Sequence, residues 1–439
     1  MSEAIALALP TDERRPSARA VAWLCLLGPF FFLSYGTANW LAAQHAEVGS
    51  VVFDWERAIP FLPWTIIPYW SIDAFYGLSL FVCANKAELD THARRLLTAQ
   101  IVAVACFVLF PLRFTFDRPQ ATGVAGALFD VLTSFDKPFN QAPSLHIALL
   151  VILWPLYARH VPRWALWLLH PWFAVLFVSV LTTYQHHFID LPTGALLGFF
   201  CLWLWPDAAA SPVAGARLTL DPKRRRLAAG YLAGAMLLTA LAFAGGLALW
   251  LLWPAVSLTF VAANYAAFDV RGFQKGANGR MSLAACWLLA PYLIGAWANS
   301  RLWTRGEPKS VSIRDGVWLG RTPWPRAASH FAQIVDLCGE LPGRPGSRAV
   351  PMLDLIVPAP EQLARAAAEI DQARSAGRVL VCCALGYSRS AAAVAAWLLS
   401  TGRAADIDAA IAEIRRARPR IVLGDGARAA IARAARPDA

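Results

Sequence analysis

Two groups of residues in this 439-residue chain have the types and spacing that phosphoryl transfer requires. The first is Cys383-Ala-Leu-Gly-Tyr-Ser-Arg389-Ser390, a cysteine, five residues, then arginine and serine. Successive backbone N–H groups of such a loop, opening onto a helix N-terminus, form an anion cradle, and the arginine adds a bidentate fork. The same field favours a thiolate at Cys383, the form of cysteine that attacks phosphorus. Gly386 permits the tight backbone, and Ser390 is placed to donate to the thiolate or to the leaving group.

The second group is spread over three clusters: Arg113-Phe-Thr-Phe-Asp117-Arg118-Pro119, Pro143-Ser144-Leu145-His146 and Tyr184-Gln185-His186-His187-Phe188-Ile189-Asp190. One histidine attacks phosphorus while an aspartate on its other ring nitrogen fixes the tautomer and stabilises the imidazolium. A second histidine protonates the leaving oxygen, and arginine neutralises the phosphoryl oxygens. The four-residue spacing from His186 to Asp190 puts both on one helical face, or a turn lets them meet. His187 competes with His186 for the nucleophile's role, but its spacing to Asp190 is one residue short.

The elements that must hold these groups are legible in outline. The chain is 57% hydrophobic and only 16% charged, so much of it faces something other than water. Apolar segments at 20–42, 62–84, 96–112, 145–159, 164–184 and 191–206 are candidate membrane helices, two of them short for a hydrocarbon layer about 30 Å thick. Further apolar runs cover 228–268 and 282–299, interrupted by Gly245–Gly246 and Pro254, which leaves their span count at two or three. Lys86, Arg94, Arg95, Arg159, Arg163, Arg217 and Arg224 mark alternate loops as cytoplasmic, as do Arg14, Arg15 and Arg19 before the first segment. Loops 43–61, 113–144 and 185–190, with the histidine clusters, then lie on the opposite side. The run 378–385, RVLVCCAL, reads as a buried strand, and 390–400 and 405–418 read as amphipathic helices, the pattern of a small α/β domain. The expected layout is a tail over 1–19, a membrane domain over 20–210, additional helices over 226–303 and an α/β domain over 308–430. The fold class is thus a mostly α-helical polytopic bundle, a six-helix core plus two or three helices, with a C-terminal α/β domain.

The histidine clusters resemble the type-2 phosphatidate phosphatases across about residues 60–205, with Arg118-Pro119, Pro143-Ser144-His146 and His186-x3-Asp190 in place. Pro111, Leu145 and Val180 depart from that family's Lys, Gly and Arg. Those departures resemble the inositol-phosphorylceramide and sphingomyelin synthase branch. The resemblance implies His186 as nucleophile, Asp190 as its partner, His146 as acid, and Arg118, Arg113 and Ser144 on the phosphate. With two cations lost, a phosphodiester lipid is a better substrate than a phosphomonoester dianion. The cysteine loop resembles the dual-specificity protein-tyrosine phosphatases over roughly 310–425, including GVWLGRTPWP at 316–325 and ARPRIVL at 417–423. That family's general acid, some thirty residues upstream, implies Asp354 in MLDLIVPAPEQL (352–363). Cys382 stands where that family carries histidine, and it offers a thiol beside Cys383.

The expected function is a bifunctional membrane lipid phosphatase or phosphotransferase. The histidine site acts on a phospholipid headgroup and the cysteine site hydrolyses a phosphomonoester, lipid favoured. The alternative is a membrane-anchored protein phosphatase, with a phosphoprotein as the cysteine site's substrate. The partners are then a phospholipid or lipid phosphate and the bilayer, with no nucleic acid; the net charge of +11 sits partly in loops flanking apolar segments. The expected location is a bacterial-type inner membrane, multi-pass, the cysteine domain in the reducing cytoplasm. Of the eight cysteines, Cys25, Cys83, Cys106, Cys201 and Cys286 lie singly in apolar segments and read as buried free thiols. Both sites use a protein nucleophile with cationic or N–H stabilisation, so neither calls for a cofactor or a metal. Phosphatase turnover by the purified protein is therefore expected to survive EDTA and to be inhibited at both sites by vanadate, as measured with a lipid and with an aryl phosphate.

Overall fold

The structure, a computed structural model, describes residues 15–207 and 209–435. Most of the expected N-terminal tail, Arg14 included, lies outside the described residues. The chain forms two compact units, Met1–Ser211 and Pro212–Ala439.

The first unit is helical: α1 (Ser17–Ala42), α2 (Ile66–Val82), α3 (Lys86–Leu109), α4 (Gly123–Phe135), α5 (Leu145–His160), α6 (Leu166–Thr182) and α7 (Asp190–Leu204). Each apolar segment expected here is a helix. α4 is an addition: it falls in 113–144, which reads as a connecting loop, and it is too short to register as a span. It forms because Phe129 and Leu132 bury one face against Tyr69, Ile147 and Val180. Close packing of α7 on α5 depends on two glycines. A Cβ at Gly194 would lie 2.4 Å from the Ser144 carbonyl oxygen, and one at Gly198 would lie 2.6 Å from the Val151 Cβ. Small residues four apart let two backbones approach, which here carries the N-terminus of α5 to that of α7.

The expected burial of single cysteines holds for Cys83 and Cys201 but fails for Cys25, which is exposed, and in part for Cys106 and Cys286. All are free thiols. The reason is that these helices are apolar around most of their circumference, so an apolar position need not face the core. Leu33 and Leu109, about 70% exposed, make the same point. Four helical stretches, Ser17–Ala43, Lys86–Leu109, Arg163–Thr182 and Gly246–Phe273, are long and apolar enough to cross a membrane.

The second unit opens with α8 (Pro222–Ala242), α9 (Leu252–Ala263), α10 (Leu283–Leu288) and α11 (Ala290–Trp303). The α8–α9 connection turns at Gly245 and Gly246, both with positive φ. A five-stranded sheet follows: β1 (Ser310–Arg314), β2 (Val317–Arg321), β3 (Gln333–Cys338), β4 (Arg348–Met352) and β5 (Val379–Cys383). The order is β1-β2-β5-β3-β4, with β1 antiparallel to β2 and the remaining pairs parallel. α12 (Pro325–Ala328), α13 (Pro360–Arg374), α14 (Arg389–Ser400), α15 (Ile407–Ala417) and α16 (Asp425–Ala434) complete the unit. Leu319, Val335, Val381, Ile370, Trp397 and Ile414 meet in its main core. β5 is central and buried at every position, as its unbroken apolar run requires.

Lys275, between α9 and α10, is buried against the sheet. Its ammonium donates to Asp336 Oδ2 at 2.7 Å and to the carbonyls of Cys338 and Leu341 at 2.6 and 2.7 Å. Burial works against the charge, and Asp336 more than restores it, leaving the Lys275 pKa above its ordinary value. Lys275→Met removes one partner of a buried pair and should cost about 3–5 kcal/mol. The check is the unfolding midpoint in detergent, where adding Asp336→Asn should recover part of the loss by removing the orphaned charge.

Candidate active sites

The cysteine site forms where the central strand ends. β5 delivers Cys383 at its C-terminus, the chain turns through 384–388, and α14 begins at Arg389. Open α/β sheets bind ligands at this end of their strands. Gly386 has φ +77°, and a Cβ there would come within 2.5 Å of the Gly320 carbonyl carbon, so only glycine fits. Its N–H points to the Cys383 Sγ at 3.2 Å, and the Ser390 hydroxyl lies 3.2 Å from the same sulfur.

Arg389 is fully enclosed. Its Nη1 donates to Glu340 Oε2 at 2.7 Å and to the Met352 carbonyl at 2.9 Å, and its Nη2 donates to Glu340 Oε1 at 2.6 Å. Asp354 Oδ1 lies 2.9 Å from the same Nη2. The buried Nε–H has no partner among the described residues. Burial pushes the Glu340 carboxyl up, and the guanidinium more than reverses this, leaving it below the usual carboxylate range. At Asp354 burial wins over the pull of Arg389, helped by the nearby Glu340 charge, and the carboxyl stays above that range. A carboxyl that holds its proton is the form a general acid needs.

The loops are tied down from several directions. Thr322 N–H donates to the Cys383 carbonyl at 2.9 Å, and the Ser300 hydroxyl donates to that of Ala384. Arg418 is buried, donates to the Leu385 carbonyl at 3.1 Å and lies 4.8 Å over the Tyr387 ring. The Tyr265 hydroxyl donates to the Asp354 carbonyl at 3.1 Å, next to Leu355 with its positive φ. Glu340, Tyr265 and Ser300 carry no signal in the sequence, and Arg418 has no assigned role there. Only Arg418 carried a signal, inside the 417–423 run. Cys382 does not face its neighbour: it packs with Leu380, Ile334 and Ala328 on one side of the sheet, while Cys383 joins the core on the other. Adjacent strand residues point to opposite faces, so the two thiols are not placed to pair.

In the first unit Ser144, His146, His186 and Asp190 come together. His186 Nδ1 lies 3.1 Å from Asp190 Oδ2. A carboxylate only accepts, so Nδ1 carries the proton and Nε2 has the bare lone pair, 3.3 Å from the Ser144 hydroxyl. The His146 ring, stacked on Tyr69, has its centroid 6.1 Å from that of His186. The Ser144 N–H donates to the Asp190 carbonyl at 3.0 Å, joining the starts of α5 and α7 directly. Arg118 uses Nε and Nη2 on the carbonyls of Thr183 and Tyr184, holding the turn that presents His186. The Arg113 side chain is exposed and makes no hydrogen bond or ion pair among the described residues. His187 is occupied elsewhere: Nδ1 meets Glu56 Oε2 at 3.0 Å and Nε2 accepts from Thr115 N–H at 3.2 Å. Asp136 was not anticipated. It accepts from the Tyr35 hydroxyl at 2.9 Å, and burial holds its carboxyl above the usual range against that hydrogen bond and the charge of Arg118.

With Asp354 as the acid that the sequence resemblance implies, its raised pKa sets a pH dependence. The acid works only while protonated, so turnover of an alkyl phosphate should fall as pH rises through its elevated pKa. Asp354→Asn should remove that basic limb from the kcat profile and slow alkyl phosphate turnover by about 10²–10⁴-fold, with vanadate binding retained.

The sequence of residues 349–435 matches the family described as "Dual specificity phosphatase, catalytic domain". Among solved structures, the chain is similar to Tk-PTP in the active form, at 27% identity over 29% of this chain and 97% of that one, TM-score 0.27. It is also similar to PTPMT1 in complex with PI(5)P, at 16% identity over 30% and 96%, TM-score 0.27. A third is human DUSP28, at 23% identity over 30% and 95%, TM-score 0.25. No curated protein matches the chain. The histidine cluster lies outside the matched residues. Residues 349–435, which hold Asp354, Cys383 and Arg389, therefore match a dual-specificity-phosphatase catalytic domain, and that match supports a cysteine-based phosphoric ester hydrolase.

Proposed function

We propose that the chain is a membrane-embedded enzyme with two phosphoryl-transfer sites, the cysteine site hydrolysing a phosphomonoester lipid and the histidine site acting on a phospholipid headgroup. The observation that carries the cysteine half is the set around one guanidinium: Cys383 Sγ facing the Gly386 N–H, Arg389 with a free Nε–H, and Asp354 on the same fork. The thiolate attacks phosphorus and the ester P–O bond breaks as Asp354 gives its proton to the departing oxygen. Water then displaces the cysteine from phosphorus, and the Asp354 carboxylate takes up the proton. A lipid is favoured because residues of the apolar helical region hold both catalytic loops, Ser300 at Ala384 and Tyr265 at Asp354. The four long apolar helical stretches support a membrane setting.

The histidine half rests on the 6.1 Å separation of the His146 and His186 rings and on the Asp190 contact that leaves Nε2 bare. Nε2 attacks the headgroup phosphorus, the P–O bond breaks, and His146 supplies the proton to the leaving oxygen. A hydroxyl acceptor then discharges the phosphohistidine and returns its proton to His146. Buried Asp136 beside this pair suits a phosphodiester with one charge rather than a dianion.

The two sites should fail separately. Cys383→Ser should abolish hydrolysis of p-nitrophenyl phosphate and leave radiolabelled phospholipid turnover measurable, and His186→Ala should do the reverse. Loss of both activities from Cys383→Ser alone overturns the two-site reading.

A further inference from the structure

On the side of the sheet away from the Cys383 side chain lies a cavity of about 410 Å³, in the size range of small-ligand sites. Trp318, Trp324, Phe331 and Leu380 supply apolar walls. Lys309, Arg321 and Arg378 line it together with His330, and no carboxylate does. Elsewhere in this unit, Arg314, Arg348, Arg403 and Arg420 each have an acidic partner. Lys309, Arg321 and Arg378 have none among the described residues, and Arg321 is turned to the Thr304 hydroxyl. Three unneutralised cations around one concavity attract an anion, and guanidinium forks select phosphate geometry.

The mouth of the cavity indicates where that anion comes from. Trp297 of the apolar helix α11 meets Trp324 edge-on, with centroids 5.0 Å apart. Arg301 lies 5.6 Å over the same Trp324 ring and donates to the Thr322 carbonyl at 3.0 Å, fixing the rim. Trp324 is half exposed and Trp303, ending α11, is more so. Tryptophans and cations gathered at the end of an apolar helix form the pattern of a membrane–water interface, where anionic headgroups lie.

We propose that this cavity binds the headgroup of an anionic phospholipid, with Lys309, Arg321 and Arg378 on the phosphate and Trp318, Trp324 and Phe331 against the glycerol end. The cavity lies on the opposite face of the sheet from the Cys383 side chain and stands whether or not Cys383 is a nucleophile.

The test uses the full chain in detergent with Cys383→Ser and His186→Ala to prevent turnover, titrated with dihexanoyl phosphatidylglycerol and followed by tryptophan fluorescence. Adding Lys309→Gln and Arg378→Gln, both exposed positions, should weaken binding about tenfold or more at an unchanged unfolding midpoint. Trp324→Ala should weaken the lipid while leaving inorganic phosphate unaffected. Dihexanoyl phosphatidylcholine and inorganic phosphate should each bind at least about tenfold more weakly than the anionic lipid. Equal affinity for inorganic phosphate would mean a simple anion site and overturns the lipid assignment. Unchanged lipid affinity in the Lys309/Arg378 variant overturns the site itself.

Discussion

The cysteine domain is organised around a guanidinium placed where water cannot reach it. A buried Arg389 would be costly alone, and Glu340 makes it tolerable by accepting from both terminal nitrogens. That fork-to-fork contact fixes the plane of the group. Three other parts of the domain depend on it. The end of β4 contributes the Met352 carbonyl to Nη1, the Asp354 carboxyl reaches Nη2, and α14 begins at Arg389 itself. One ion pair thereby sets the relation of the anion-binding loop to the acid-bearing loop.

The region of apolar helices is more than a tether for this domain. Lys275 closes three acceptors beneath β3, Ser300 holds the phosphate loop, and Tyr265 holds the acid loop. Residues 222–303 and the sheet accordingly form one compact unit rather than two bodies joined by a linker. The physical effect is preorganisation: loops fastened to helices have less conformational freedom left to lose.

The histidine cluster is positioned by a different device. α5 and α7 approach closely because Gly194 and Gly198 leave no side chain between them. With backbones that near, the Ser144 N–H reaches the Asp190 carbonyl, and the starts of both helices present their polar groups to one point. His187 has a full set of partners in Glu56 and Thr115, so it ties the 53–58 turn to the 184–190 loop instead of serving the centre.

What the sequence determined by itself was local. A cysteine, a five-residue loop and an arginine between a β-branched run and an amphipathic stretch already specify an anion cradle, because its donors come from consecutive residues. The apolar helices, the break at Gly245–Gly246, and the His186–Asp190 contact were legible for the same reason of short range. Tertiary structure decided everything that depends on distant partners. Glu340 stands 49 residues before the arginine it neutralises, and Tyr265 stands 89 before the carbonyl it holds. A lone glutamate or tyrosine carries no mark of such a role. The exposure of Cys25, the fourth helix and the opposite facing of Cys382 and Cys383 followed from which faces found partners. Side-chain pattern names a residue's preference for burial, but only packing decides what it is buried against.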